Sequence, residues 1–253
     1  EDVPHHLIGG KSVTETVNAG EYAKLVHSCI EQIKSRDKMP ILCGGAGLYF
    51  RALNSGIFDQ SKSELKIRKN LEDQYDGGNA QEMMNTLKKI DPEYYTHVHI
   101  NNRKRLIRAL EIYEGTGKTP SEHFKNQKNK PTSNLNLFSI YLNWDRSILK
   151  DRISKRTARM IKNGWIDEVK KLIEKYPGIN LHPLDSIGYR QIVSYLNNNI
   201  SLESLESEIN TKTYQYAVRQ IKWFRKENMN LIIDMDSGTI TSQIIKKILP
   251  FIK

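Results

Sequence analysis

The sequence predicts an α/β fold, a parallel sheet interrupted by a mostly helical insertion. Two observations carry that expectation. Short apolar runs at Met39–Cys43, Leu137–Leu142 and Asn230–Asp234 alternate with long amphipathic segments, the order that builds parallel sheets. Between the first two runs, Ser61 to Tyr95 is polar, helical in its spacing and free of strand signals. Three segments follow: a first part of the core at 1–58, a helical insertion at 59–125, and a second part of the core with C-terminal helices at 126–253.

The elements come in this order. Ala19 to Arg36 spaces Tyr22, Leu25, Val26, Cys29, Ile30 and Ile33 as one helical face. MPILCGG then reads as a buried strand, bounded by Pro40 and the Gly44–Gly45 pair. A helix starts at Leu48. In open parallel sheets ligands gather at the carboxyl ends of strands, where the GGAG turn would sit. DGGN at Asp76–Asn79 is a soft point in the insertion. Asn102 to Glu114 is a strong helix with Leu106, Leu110 and Tyr113 on one face and Arg105, Arg108 and Glu111 toward another. GTGKTP stops it. Lys125 to Asn136 reads as a mobile loop. Leu137–Leu142 is the second strand. Asp145 then caps a basic helix, Arg146 to Asn163. Trp165–Tyr176 and Leu202–Lys226 are helical, and Asn230–Asp234 is the last strand.

Composition narrows the function. The chain has 253 residues, 38% hydrophobic and 27% charged, which suits a folded globular protein. No apolar run reaches the roughly 20 residues that span a bilayer, and the first residues carry no secretory signal. Cys29 and Cys43 are too few for a disulfide framework or a cysteine zinc site. A cytoplasmic setting is expected, without membrane contact. Net charge is +10, and it is clustered. Arg146 to Lys162 holds seven bases and one acid, and Thr211 to Lys226 holds five bases and none. Such clusters point to a polyanion, either nucleic acid or a phosphorylated ligand.

The motifs leave alternatives open. GTGKT at Gly115–Thr119 lacks phosphate-loop spacing and follows a helix, so it reads as a helix C-cap. GGAG at Gly44–Gly47 either holds an anion on backbone N–H groups or needs glycine for a close backbone approach. Arg152, Arg156 and Arg159 share one helical face, either as a phosphate clamp or as a solvated surface. LDSIGYRQI, Leu184–Ile192, puts Tyr189, Arg190 and Gln191 at a helix start, suited to RNA or to an ordinary cap. YAVRQIKWFRK, Tyr216–Lys226, interleaves bases with aromatics, with Trp223 and Phe224 read singly as core. His5 and His6 point apart on an extended chain, so no metal site is expected there. No nucleophile stands out, which suggests a reaction between two bound substrates.

VPHHLI (Val3–Ile8), GGAGLYFRAL (Gly44–Leu53), RLIRALEIYEGTGKTPSE (Arg105–Glu122), DRISKRTARMIKNGWIDEV (Asp151–Val169), IGYRQ (Ile187–Gln191) and RQIKWFRK (Arg219–Lys226) occur in one order. In combination they closely resemble the tRNA dimethylallyltransferase family, also called tRNA isopentenylpyrophosphate transferases, over nearly the whole chain. The resemblance implies a P-loop-kinase-like core with a helical insertion. It implies transfer of a dimethylallyl group from dimethylallyl pyrophosphate to the exocyclic amine of an adenosine beside the tRNA anticodon, flipped out of its loop. Magnesium is the implied cofactor, the anticodon stem-loop the implied partner, and a monomer the implied state.

The same resemblance implies that Arg156 is the catalytic contact to the donor's pyrophosphate, and that Gly44, Gly45 and Ala46 line the substrate channel. For tRNA it implies Lys104, Arg105 and Arg108, less securely aligned Arg68, the run Asp185, Ser186, Ile187, Gly188, Tyr189 and Arg190, and Arg219 with Gln220. Ala46 stands where the family usually has Thr, and Gly9–Gly10 where an Asp is usual. The family also opens with a Gly-rich loop ending in Gly-Lys-Thr and an Asp-Ser segment whose Asp is the presumed base. Both should precede Val3, so the sequence is expected to lack its native N-terminus.

Overall fold

The computed structural model describes residues 3–54, 56, 65–128, 135–179, 181–235 and 241–251. They fall into two compact units. One comprises 1–17, 41–47 and 136–253, the other 18–40 and 48–135.

The second unit is helical. It contains α1 (Ala19–Lys34), the main body of α2 (Gly47–Asn54), α3 (Leu65–Gln74), α4 (Ala80–Ile90), α5 (Pro92–Tyr95), α6 (Arg103–Thr116) and α7 (Pro120–Lys128). Its boundaries are set by local chemistry. Asn18 and Glu21 form a reciprocal capping box on α1. Asn102 caps α6, and Gly117 closes it in the left-handed conformation that glycine adopts without a Cβ penalty. The GTGKT stretch is therefore a helix end: the Gly117 N–H donates to the Tyr113 carbonyl at 2.8 Å. Between α3 and α4, the soft DGGN stretch forms one π-helical turn kinked at Gly78. Leu71, Met83, Met84, Leu87, Leu106, Ile107 and Leu110 make the core. Asp91, buried, ties the unit at a second point. It caps α5 through the Tyr94 N–H (2.9 Å) and accepts from the Ser121 N–H (2.9 Å) and hydroxyl (2.7 Å) on α7.

The first unit carries the sheet. β1 (Ile140–Trp144) pairs in parallel with β2 (Leu231–Met235), with Ile140 opposite Leu231 and Trp144 opposite Met235. The crossover runs through α8 (Arg146–Lys162), α9 (Trp165–Lys175), α10 (Tyr189–Leu196) and α11 (Leu202–Phe224), and α12 (Thr241–Ile248) follows β2. Parallel pairing requires such a long crossover. Asp145 caps α8, accepting from the Ser147 N–H at 2.7 Å, and Ser201 caps α11. α8 packs on α11. Trp165, Val169, Ile192, Leu205 and Ile209 form the unit's helical core.

The fold is thus α/β, with helices dominating a small parallel sheet. Three expectations need correction. MPILCGG is not a buried strand: 38–46 has no regular structure, and Met39, Ile41 and Leu42 are 56%, 76% and 43% exposed. An apolar run becomes a strand only by pairing, and β1 and β2 among the described residues pair with each other. The first part of the loop expected at 125–136 is helical, since α7 continues to Lys128, and 129–134 lie outside the described residues. Glu111, expected beside Arg105 and Arg108 on the polar face of α6, is 4% exposed.

Candidate functional site

The features expected to bind substrates lie in both units. In the first unit, β1 delivers the chain at its carboxyl end into α8. Ile153 and Thr157 are buried and root the helix, with the Thr157 hydroxyl donating to the Ile153 carbonyl. The opposite face is basic and exposed. The Arg152 guanidinium lies 4.2 Å from the Trp144 ring centroid, a cation–π contact that fixes it to the strand end. Lys155 pairs with Asp151 at 2.8 Å. No acid among the described residues pairs with Arg156 or Arg159. Two guanidiniums left outward on one helix face suit an anion that is absent from the protein itself.

The GGAG turn shows why it is glycine. Gln220 on α11 donates its Nε2 to the Gly45 carbonyl at 2.7 Å. A Cβ on Gly45 would collide with that amide, and one on Gly47 would lie 2.5 Å from the Trp223 ring. Both positions require close backbone approach. Gly44 has open space around it, and Ala46 is exposed. Gln220, expected among tRNA contacts, is therefore engaged with the turn. Its neighbour Arg219 is exposed, with its guanidinium 5.9 Å from the Tyr216 ring.

Asp185 ends a short 3-10 turn, His182–Asp185, and Ser186–Gly188 lead from it into α10, which begins at Tyr189. Gly188 has φ of 93° and sits on the face of Trp165, where any Cβ would collide. Its N–H donates to the Gln191 side chain at 2.8 Å. The Tyr189 hydroxyl donates to Glu168 at 2.6 Å and its ring meets Trp165 edge-on. Burial, reinforced by Glu168, pushes the Tyr189 hydroxyl above its ordinary range. Ser186 is exposed and Ile187 half-buried. Arg190 reaches back to Asp185 at 3.2 Å, with both side chains mostly in solvent. The loop is thus a rigid seat presenting an exposed Asp–Ser–Arg edge.

In the second unit, α6 presents Lys104 and Arg105 outward. Arg105 donates weakly to the His97 carbonyl at 3.4 Å. Arg108 behaves otherwise: it is bonded to the buried Glu111 at 2.8 Å, and Arg68 from α3 approaches the same oxygen at 3.8 Å. Arg68 also meets Glu72 at 3.2 Å, Arg103 meets Glu72 at 3.7 Å, and Arg103 grips Asp76 with two bonds of 2.9 and 2.7 Å. The bond from Arg103 holds the Asp76 carboxyl below its usual range. Sequence reasoning missed Glu72, Asp76, Arg103 and Glu111. The i,i+4 pair Arg68–Glu72 and the i,i+3 pair Arg108–Glu111 were visible signals, but the approach of α3 to α6 was not.

The family model described as IPP transferase matches residues 1–227. This chain belongs to the IPP transferase family. It is 37% identical to a tRNA dimethylallyltransferase of Christiangramia forsetii over 88% of this chain and 72% of that one. It is 34% identical to a tRNA dimethylallyltransferase of Desulforamulus reducens, over 97% and 88%. Its fold is similar to the crystal structure of the tRNA isopentenylpyrophosphate transferase of Bacillus halodurans, with a TM-score of 0.66 and 32% identity over 99% of this chain and 77% of that one. It is also similar to a eukaryotic dimethylallyltransferase crystallised acting on tRNA, with a TM-score of 0.79 and 28% identity over 98% of this chain and 66% of that one.

Proposed function

We infer that this IPP transferase family member is a tRNA dimethylallyltransferase, a prenyltransferase that modifies an adenosine of tRNA. In the finer reading, the donor is dimethylallyl pyrophosphate and the acceptor is the N6 amine of the adenosine beside the anticodon. The adenosine nitrogen forms a bond to the allylic carbon as the bond from that carbon to the pyrophosphate oxygen breaks, its electron pair leaving on pyrophosphate, and the amine releases one proton to solvent. Arg156 holds the departing pyrophosphate, and charge developing there is what such a clamp stabilises. The observation that carries this assignment is the outward, acid-free face of α8 at Arg156 and Arg159.

The tRNA meets Lys104 and Arg105 on α6, Arg68 and Arg108, the Asp185–Arg190 edge and Arg219. Gly44 and Gly45 with Ala46 shape the substrate channel, and the segment 59–125 acts as the helical insertion. Magnesium belongs to the reading through the donor alone. Among the described residues no group of three or more His, Cys, Asp or Glu could hold a metal ion. Magnesium would therefore be held chiefly by the donor's own pyrophosphate oxygens, as this ion commonly is in phosphate chemistry. No described helix is long and apolar enough to cross a membrane, and the reading places the protein in the cytoplasm as a monomer.

The test uses the intact protein, dimethylallyl pyrophosphate and an unmodified anticodon stem-loop. Arg156→Ala should lower the transfer rate by about 100-fold while changing stem-loop affinity by less than about threefold. Equal losses in both would mean that Arg156 contacts RNA and not the donor. An RNA-binding protein without transfer activity would bind the stem-loop and form no product.

A further inference from the structure

A carboxylate as buried as Glu111 is costly unless it is paired. Here guanidiniums from two helices converge on its Oε2: Arg108 of α6 at 2.8 Å and Arg68 of α3 at 3.8 Å. Both arginines remain open to solvent, with side chains 40% and 43% exposed. The arrangement continues as an alternating row through Glu72, Arg103 and Asp76. Arg68 is thereby placed beside Arg108, held by its 3.2 Å bond to Glu72 and approaching Glu111 at 3.8 Å.

We propose that Glu111 is a positioning residue for RNA: from beneath, it fixes the guanidiniums of Arg108 and Arg68 into one preformed clamp for the phosphate backbone. The proposal rests on the reading that this face of α3 and α6 meets tRNA. Long free arginines lose rotamer freedom when they bind, whereas guanidiniums already held lose little. A buried acid under two exposed arginines therefore favours binding through order, although its charge repels phosphate. That opposition of signs makes the role measurable. If Glu111 acted only through its charge, removing the charge would tighten RNA binding.

Stem-loop binding is measured against salt concentration for Glu111→Gln, Arg68→Gln, Arg108→Gln and the double arginine variant, each in the intact protein with its fold checked by circular dichroism. Glu111→Gln keeps the shape and loses the charge. It should weaken binding about tenfold and flatten the slope of log affinity against log salt by about 1, with the KM for dimethylallyl pyrophosphate unchanged. A folded Glu111→Gln that binds as well as the parent, or tighter, overturns the positioning role, even if its unfolding midpoint falls.

If Glu111→Gln does not fold, the arginine variants decide. With one shared anchor, removing either arginine takes the other out of its paired geometry, so the double loss is smaller than the product of the single losses. A double loss equal to that product overturns the shared anchor. If neither single arginine variant weakens binding, this face does not meet tRNA, and the proposal falls with that reading. If both weaken binding and the folded Glu111→Gln does not, only the positioning role falls.

Discussion

At the scale of single residues, glycine shows most clearly what the fold requires. Gly44, Gly45 and Gly47 look alike in the sequence, yet only two are pressed against side chains, by Gln220 and Trp223. Gly188 combines a positive φ with the Trp165 ring against its Cα. Gly188→Ala should therefore destabilise the fold by about 3 kcal/mol, from backbone strain and overpacking together. Gly44→Ala, with nothing within 4 Å, should stay within about 0.5 kcal/mol. Chemical denaturation of the two variants checks both, and similar losses would mean that the Trp165 seat does not exist in solution. The sequence marked Gly188 as a site residue through its IGYRQ motif. It did not show that the glycine is there for Trp165, because 23 residues of chain separate the two.

At the scale of elements, two helix ends were legible, the Asp145 cap of α8 and the Gly117 end of α6. Asn18, Asn102 and Ser201 cap their helices in the same local way, with side chains two or three residues from the groups they satisfy. What a helix face does was harder to read. α6 carries Arg105 and Arg108 in one motif, yet Arg108 is drawn to a buried acid while no acid among the described residues pairs with Lys104 or Arg105. Replacing Lys104 and Arg105 with glutamine should thus weaken stem-loop binding and reduce its salt slope by about 2, one for each phosphate contact. The slope across several salt concentrations checks this. An unchanged slope would make the pair an ordinary solvated surface.

At the scale of the whole molecule, stability in acid follows from Asp91. Burial alone would raise its carboxyl, but hydrogen bonds from the Tyr94 and Ser121 backbones and the Ser121 hydroxyl outweigh burial and hold it below its ordinary value of 3.8. A lowered folded value means that the unfolded chain takes up the proton first. The stabilisation is therefore complete above about 3.8 and is lost as pH falls through the folded value. Asp91→Asn should cost about 2 kcal/mol at neutral pH, and should abolish this part of the acid dependence. Denaturant midpoints of the parent and variant between neutral pH and pH 3 test it, and parallel curves would show that Asp91 is not the group responsible.

The sequence by itself determined the family, the basic clusters, the order of helices and two of the three expected strands. These depend on periodicity, caps and residue type, all written within a few residues of chain. Tertiary structure decided the rest. It left Met39–Gly45 without a strand partner among the described residues, because an apolar run becomes a strand only when a neighbour accepts its hydrogen bonds. It buried Glu111, because α3 packs on α6 there and brings Arg68 within 3.8 Å of its carboxylate. It turned Gln220 toward Gly45, 175 residues away. Each of these outcomes depends on a partner distant in the chain, and a burial cost or hydrogen bond between distant residues is settled only when folding brings them together.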